Sequence, residues 1–308
     1  MVHVAGMRNK LSELEVFSLM LASIVHDYRH PGLNNNFLVK TGHELALLHN
    51  DSSVLENHHI SSAFILMQQE KLDPLKNLPK QEKAKCREIC IALVLATDLK
   101  LHFDIVASFK NEVVAMGLSK TDTKATPEEE EQMNLMAMKM AIKCSDIGHP
   151  TKSPPLHLKW SRLIMREFFA QGDEERRRKF SISPLCDRKD VNSIPGSQKG
   201  FINFLVQPVY TIWTEYLTNH VDSDAGAIKI FAINMKVSDF LRLRLRLRLL
   251  LRLRLRLRLR LRLRLRLIVT NHFTYTYRFF PVLGKSRPLG ILGKRAFFQC
   301  NANYPDRN

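Results

Sequence analysis

Before residue 218 the apolar residues of this chain recur at three- and four-residue spacing, with no comparable series of strand-like alternation. That periodicity directs the segment into helices. Leu14, Phe17, Leu21 and Ile24 form the first run, and Ser12 and Glu15 stand three apart just ahead of it, a capping-box signature. Pro31-Gly32 predicts a stop near His30. Ser53 with Glu56 opens a second helix that runs through Met67, and a third covers 86 to about 106. A fourth starts at Thr126-Pro127, carries four glutamates (128–131) where they favour the helix dipole, and ends near Asp146. A fifth spans Leu156 to Gln171, closed by Gly172, and a sixth runs from about Gly200 to Leu217. Met133, Met136 and Met140 read as core.

From 241 to 267 the pattern becomes an almost unbroken Leu-Arg alternation. Period two sorts leucines and arginines onto opposite faces of a strand. The segment fits a basic membrane-surface or nucleic-acid contact, or a translated simple repeat; the second reading is preferred. The chain therefore divides into 1–217, a helical domain, and 218–308, a low-complexity segment with an unassigned tail. Twelve of the 17 net positive charges are arginines of this one segment, which leaves +5 for the rest. Charge therefore says little about the body's partners, and no nucleic acid is expected. Five cysteines without a CxxC pair fit a reducing compartment. The N-terminal residues lack a signal-like apolar run, and no stretch of about 18 uncharged apolar residues exists. A cytoplasmic protein without a transmembrane segment is expected, with its oligomeric state open.

Five short segments carry chemistry. In His26-Asp27-Tyr28-Arg29-His30-Pro31-Gly32, an adjacent imidazole and carboxylate at a helix end suit one borderline metal. In the segment 50–59, Glu56 is a candidate for holding metal-bound water and His59 for the outer shell, yet Glu56 is also the capping-box partner of Ser53. Ala96-Thr97-Asp98 precedes His102 by a spacing that places Asp98 and His102 on one helix face, where a carboxylate often only orients the ring. Asp146, ending an apolar helix in Lys143-Cys144-Ser145-Asp146-Ile147-Gly148-His149-Pro150, needs a partner if it faces inward, and a metal is one candidate. In Ser197-Gln198-Lys199-Gly200-Phe201-Ile202, Gln198 can pair with a planar base edge and Phe201 can stack on it.

Taken together and in this order, these segments resemble the class I cyclic-nucleotide phosphodiesterase family. EFFAQGD (Glu167 to Asp173) and SISPLCDR (Ser181 to Arg188) add to the match, which covers about residues 11 to 217. The resemblance implies a compact all-α, HD-type catalytic domain that binds two divalent metal ions, usually zinc and magnesium. His26, Asp27 and Asp146 match metal ligands, with Asp27 the carboxylate that bridges both ions. His30, Glu56 and Thr97 match positions that support metal-bound water. Gln198 matches the purine-gripping glutamine and Phe201 the aromatic clamp, and His149 and Glu167 match positions facing the nucleotide. The implied reaction is hydrolysis of cyclic AMP or cyclic GMP to the nucleoside 5′-monophosphate by a hydroxide activated between two metals.

One family feature is not found. An HNxxH-type segment, bearing the general acid and a further metal ligand, is absent ahead of His26, where the only histidine is His3. The domain is therefore expected to be truncated at the N-terminus and aberrant after Leu217. General acid catalysis is typically worth 10²–10⁴-fold, so this chain is expected to turn over weakly or not at all. The alternatives are a non-catalytic relative that still binds nucleotide, and a basic interaction protein acting through the Leu-Arg segment.

Overall fold

The computed structural model describes residues 7–118 and 126–220; the Leu-Arg segment and the tail after it lie outside them. Among the described residues the regular structure is helical, with no strand. The α-helices are α1 Glu13–Val25, α2 Asn35–Lys40, α3 Glu44–Leu48, α4 Val54–Leu66 and α5 Lys80–Leu95. They continue as α6 His102–Leu118, α7 Pro127–Asp146, α8 Pro154–Arg177, α9 Ile194–Phe201 and α10 Gln207–His220. No helix among the described residues is long and apolar enough to cross a membrane.

Two of the predicted helix starts form as the sequence implies. Ser12 with Glu15 closes a capping box on α1, and Thr126 with Glu129 closes one on α7, where Pro127 occupies the first turn. The third helix, α4, starts after Ser53 as expected, but its capping box does not close. Ser53 lies in left-handed backbone (φ +41°) and makes no capping hydrogen bond. Its hydroxyl donates to Asp98 Oδ2 at 2.8 Å instead, which frees the Glu56 carboxylate for other work.

Four other expectations need correction. First, α1 ends at Val25, with His26 as its C-cap, and a hydrogen-bonded turn carries the chain on to His30. Second, Phe17 and Ile24 face outward (38% and 77% exposed); α1 buries Val16, Leu19, Leu21 and Ala22 against α5. Third, the helix expected over 86–106 breaks at Ala96. Asp98 has non-helical backbone (ψ 121°) and caps a short 3-10 turn, Leu99–Leu101, before α6 begins at His102. Asp98 and His102 therefore do not share a helix face. The Asp98 carboxylate accepts from Ser53 and from the Lys100 N–H. Fourth, α9 begins at Ile194, earlier than expected, and a π turn over Ile202–Val206 separates it from α10.

The fifth helix also overruns its expected end. α8 continues through Gly172 to Arg177. Gly172 is there for packing: a Cβ on it would lie 1.9 Å from the Cys186 carbonyl oxygen and 2.7 Å from its carbon. The turn containing Cys186 is anchored by the fully buried Glu175 carboxylate, which accepts from the Ser183 N–H (2.7 Å) and hydroxyl. Gly172→Ala is expected to destabilise the fold by about 3 kcal/mol through overpacking. That corresponds to roughly 10 °C in the thermal midpoint followed by circular dichroism. An unchanged midpoint would mean that the 181–188 turn does not press on α8.

The main apolar core joins α1, α4, α5, α6, α7 and α10, and a second, smaller cluster joins α2, α3 and the start of α4. α5 packs on α1, α4 and α7, while α10 packs on α6 and α7. Phe109 of α6 meets Tyr216 of α10 edge-to-face with centroids 5.1 Å apart, and Met140, Cys144 and Val209 are fully buried beside them. Met133 and Met140 are core residues, with Met136 partly buried against them. Two buried polar contacts fix the C-terminal end of α7. The Tyr210 hydroxyl donates to the Cys144 carbonyl at 2.6 Å, and Lys143 Nζ donates to the Ala96 carbonyl at 2.8 Å. The helix end that carries Asp146 is thus clamped between α10 and the Ala96–Asp98 corner.

Candidate functional site

The C-terminal ends of α1 and α7 bring His26, Asp27 and Asp146 together from positions 120 residues apart in sequence. His26 Nε2 lies 3.4 Å from Asp27 Oδ2 and 3.4 Å from Asp146 Oδ1. Its Nδ1–H donates to the Ser23 carbonyl at 2.9 Å, which turns Nε2 toward the two carboxylates. The hydrogen bond to Asp146 raises the His26 pKa to about 9, against the effect of burial and with help from the charges of Asp27 and Asp146. A proton thus holds the position between the carboxylates that a divalent cation could take.

Asp27 also belongs to a second group of donor atoms, with His30 and His59. Arg29, in left-handed backbone (φ +61°), turns the chain between Asp27 and His30. His59, buried on α4, stacks on His30 with ring centroids 5.5 Å apart. Its Nδ1–H donates to the Tyr28 carbonyl (2.8 Å), so Nε2 presents a lone pair 3.8 Å from Asp27 Oδ1. Burial lowers the His59 pKa to about 4 and keeps the ring neutral near pH 7. His30 has the opposite tautomer. Its Nδ1 accepts from the Gly32 N–H at 3.0 Å, so neutral His30 offers an N–H from Nε2. Asp27 is shared between His26 and Asp146 on one side and the His59 lone pair on the other, a donor set that fits two divalent cations, with His30 standing in the second group as an N–H donor. The residues present therefore fit the metals that the resemblance implies.

Glu56 lies within electrostatic reach of Asp27 without joining either donor group, and Thr97 sits at the Ala96–Asp98 corner. Asn35 Nδ2 donates to Glu56 Oε2 at 3.0 Å, while Asn35 Oδ1 accepts from the Leu55 N–H. Burial raises the Glu56 pKa, and the Asn35 bond opposes it. The buried Thr97 hydroxyl donates to the Val94 carbonyl, which leaves its lone pairs as acceptors. Lys143 is buried near these acids, and its pKa is lowered by burial against the opposing charges of Asp146 and Asp98.

Three residues beyond Asp146 an aromatic wall begins. His149 stacks on Phe201 with centroids 5.4 Å apart and planes 12° from parallel. Its other neighbour is His157, with centroids 4.9 Å apart and Nδ1 atoms 3.0 Å apart. Burial, and then the His157 charge, lower the His149 pKa to about 4. Gln198 sits one turn before Phe201, and its Oε1 lies 3.2 Å from the Ser161 hydroxyl of α8. Glu167 is exposed on α8, and its Cγ lies 3.9 Å from where a Cβ on Gly32 would sit, beside the His30 turn. The structure thus gathers His26, Asp27, Asp146 and His30 into the donor groups and sets His149 against Phe201.

Asn35, His157 and Ser161 escaped the sequence reading, and His59 was placed only in an outer shell. The His58-His59 pair, three residues after Glu56, was a usable signal, whereas nothing in the local sequence marks Asn35 or Ser161.

Comparison with known proteins supplies the family. The family model described as 3′5′-cyclic nucleotide phosphodiesterase matches residues 1–223, and the chain belongs to that family. The dual specificity calcium/calmodulin-dependent 3′,5′-cyclic nucleotide phosphodiesterase 1B of Mus musculus is 40% identical over 210 residues. The match covers 68% of this chain and 37% of that protein, so the chain spans little more than a third of the relative's length.

Proposed function

We propose that this chain hydrolyses 3′,5′-cyclic nucleotides, cyclic AMP, cyclic GMP or both, to nucleoside 5′-monophosphates in the cytoplasm. The observation that carries the reading is the convergence of His26, Asp27 and Asp146 on one set of donor atoms, with Asp27 shared by a second set. The first group would hold zinc, and the second, through Asp27, magnesium. Divalent cations held there would make water more acidic and neutralise phosphate oxygens. The chain's own groups do the rest. His30 donates from Nε2, while Glu56 and Thr97 accept, so together they orient water at the centre. Gln198 donates to and accepts from the base edge, Phe201 offers a ring face, and His149 braces that ring. Glu167, beside the His30 turn, would face the nucleotide. The unpaired, buried state of Cys86, Cys90, Cys144 and Cys186 supports a reducing compartment.

The test is nucleotide binding and product analysis on the purified chain with zinc and magnesium. Cyclic nucleotide is expected to bind only when cations are present, and Phe201→Ala is expected to weaken that binding roughly tenfold, the loss of one stacked base. Turnover is expected to give the nucleoside 5′-monophosphate. Failure of both cyclic nucleotides to bind in the presence of cations would sink the reading. Binding with no 5′ product even at excess protein would leave the non-catalytic relative in its place.

A further inference from the structure

A line of hydrogen bonds runs from the far end of α8 to Glu56. It begins at the fully buried Glu175, whose carboxylate is held by Ser183 and accepts from Gln171 Nε2 at 3.1 Å. Gln171 is itself buried, and its Oε1 accepts from the backbone N–H of Asn34 at 2.9 Å, across 137 residues of sequence. Asn34 caps α2 through its side chain, which accepts from the Phe37 N–H. Its neighbour Asn35 makes the last two contacts, donating to Glu56 Oε2 and accepting from the Leu55 N–H.

Each link constrains the next. The Gln171 amide has one oxygen and one nitrogen, and the Glu175 carboxylate can only accept there. The amide nitrogen must therefore face Glu175 and the oxygen must face Asn34. This fixes the position of the Asn34 backbone, and with it the start of α2 and the direction in which Asn35 projects. A misplaced Asn35 would release both the Glu56 carboxylate and the first turn of α4. Groups outside the ligand sphere are worth 10–100-fold in metal affinity when they orient what the metal sees.

We infer that Gln171, locked by Glu175, is a positioning residue that aims Glu56 at the cation centre through Asn34 and Asn35. The inference rests on the metal-centre reading proposed above. It predicts that Gln171→Met acts at a distance on cation binding and does so through Asn35.

The test is a titration of the chain with manganese and zinc, compared among Gln171→Met, Asn35→Ala and the double variant, with hydrogen exchange at the Leu55 amide as a cation-independent readout. Gln171→Met is expected to weaken the weaker of the two cation sites roughly tenfold and to speed exchange at Leu55 in the cation-free chain. Asn35→Ala is expected to do the same, and the double variant to be no worse than either single one, because both cut the same line. Additive losses, or parallel weakening of both sites with a lowered thermal midpoint, would mean that Gln171 is only structural and would overturn the inference. Unchanged affinity and exchange would overturn it as well. If Gln171→Met fails to fold, Glu175→Gln carries the test, since it keeps the volume and unlocks the amide, and the same outcomes decide. A parent chain that binds neither cation defeats the metal-centre reading itself, a result distinct from variants that match a cation-binding parent.

Discussion

Asp27→Ala is expected to empty both cation positions, reducing bound metal from two equivalents to less than half of one by elemental analysis. Asp27 is the one residue common to both donor groups, so its loss takes a ligand from each at once. Its side chain is 63% exposed and packs into no core, so the metal-free fold should scarcely notice the change. Affinity, by contrast, should fall by about 100-fold or more, beyond the 10–100-fold typical of outer-shell losses. Glu56→Ala supplies the contrast, because Glu56 lies outside both groups, and it should retain more than one equivalent. Equal metal content in the two variants would remove Asp27 from its assigned place.

The second large effect is a pH dependence that His26 imposes on cation binding. In the metal-free chain the His26 pKa is raised to about 9, chiefly by its hydrogen bond to Asp146. A cation that takes Nε2 must displace that proton. Apparent affinity should therefore fall about tenfold per pH unit below 9, reaching roughly 100-fold below its plateau at pH 7, with about one proton released per cation. The metal-free fold follows the opposite trend. Free of its partners, an unfolded His26 titrates near 6.5, so the stabilisation it gives is complete below that pH and is lost as pH rises through about 9. Calorimetry in buffers of different ionisation enthalpy reads the released proton directly. A flat affinity between pH 7 and pH 9 would rule His26 out as a ligand.

The parts of this protein that could be read from sequence are those in which a local pattern and its tertiary use coincide. The capping box at Ser12 and the helix start at Thr126-Pro127 were legible because each satisfies backbone donors within its own first turn. The box at Ser53 has the same spacing and failed because both partners had better offers, Asp98 for the hydroxyl and Asn35 for the carboxylate. The break at Ala96 carries no glycine or proline. It is held by Lys143 and Ser53, whose contacts come from 47 and 45 residues away. Gly172 misled in the other direction: a glycine that reads as a stop is the point where a neighbouring turn presses against a continuing helix. The candidate metal ligands were legible because an imidazole beside a carboxylate at a helix end is chemically conspicuous. Asn35 and Gln171 are ordinary amides until the fold places them.

The π turn over Ile202–Val206 has a consequence for how this segment can change over time. Phe201 stacks on His149 just before the turn, while Val206, Val209 and Tyr210 are buried just after it. A residue more or fewer in a helix rotates everything on one side of it by about 100° relative to the other. The extra residue accommodated in the turn therefore lets the Phe201 face and the core face be aimed independently. Side-chain swaps within 202–206 can drift, but a single-codon insertion or deletion there would swing Gln198 away from Ser161 and Phe201 away from His149 while leaving composition almost untouched. Lineages of this domain should accordingly keep the spacing between Gln198 and Tyr210 fixed even where the intervening letters differ.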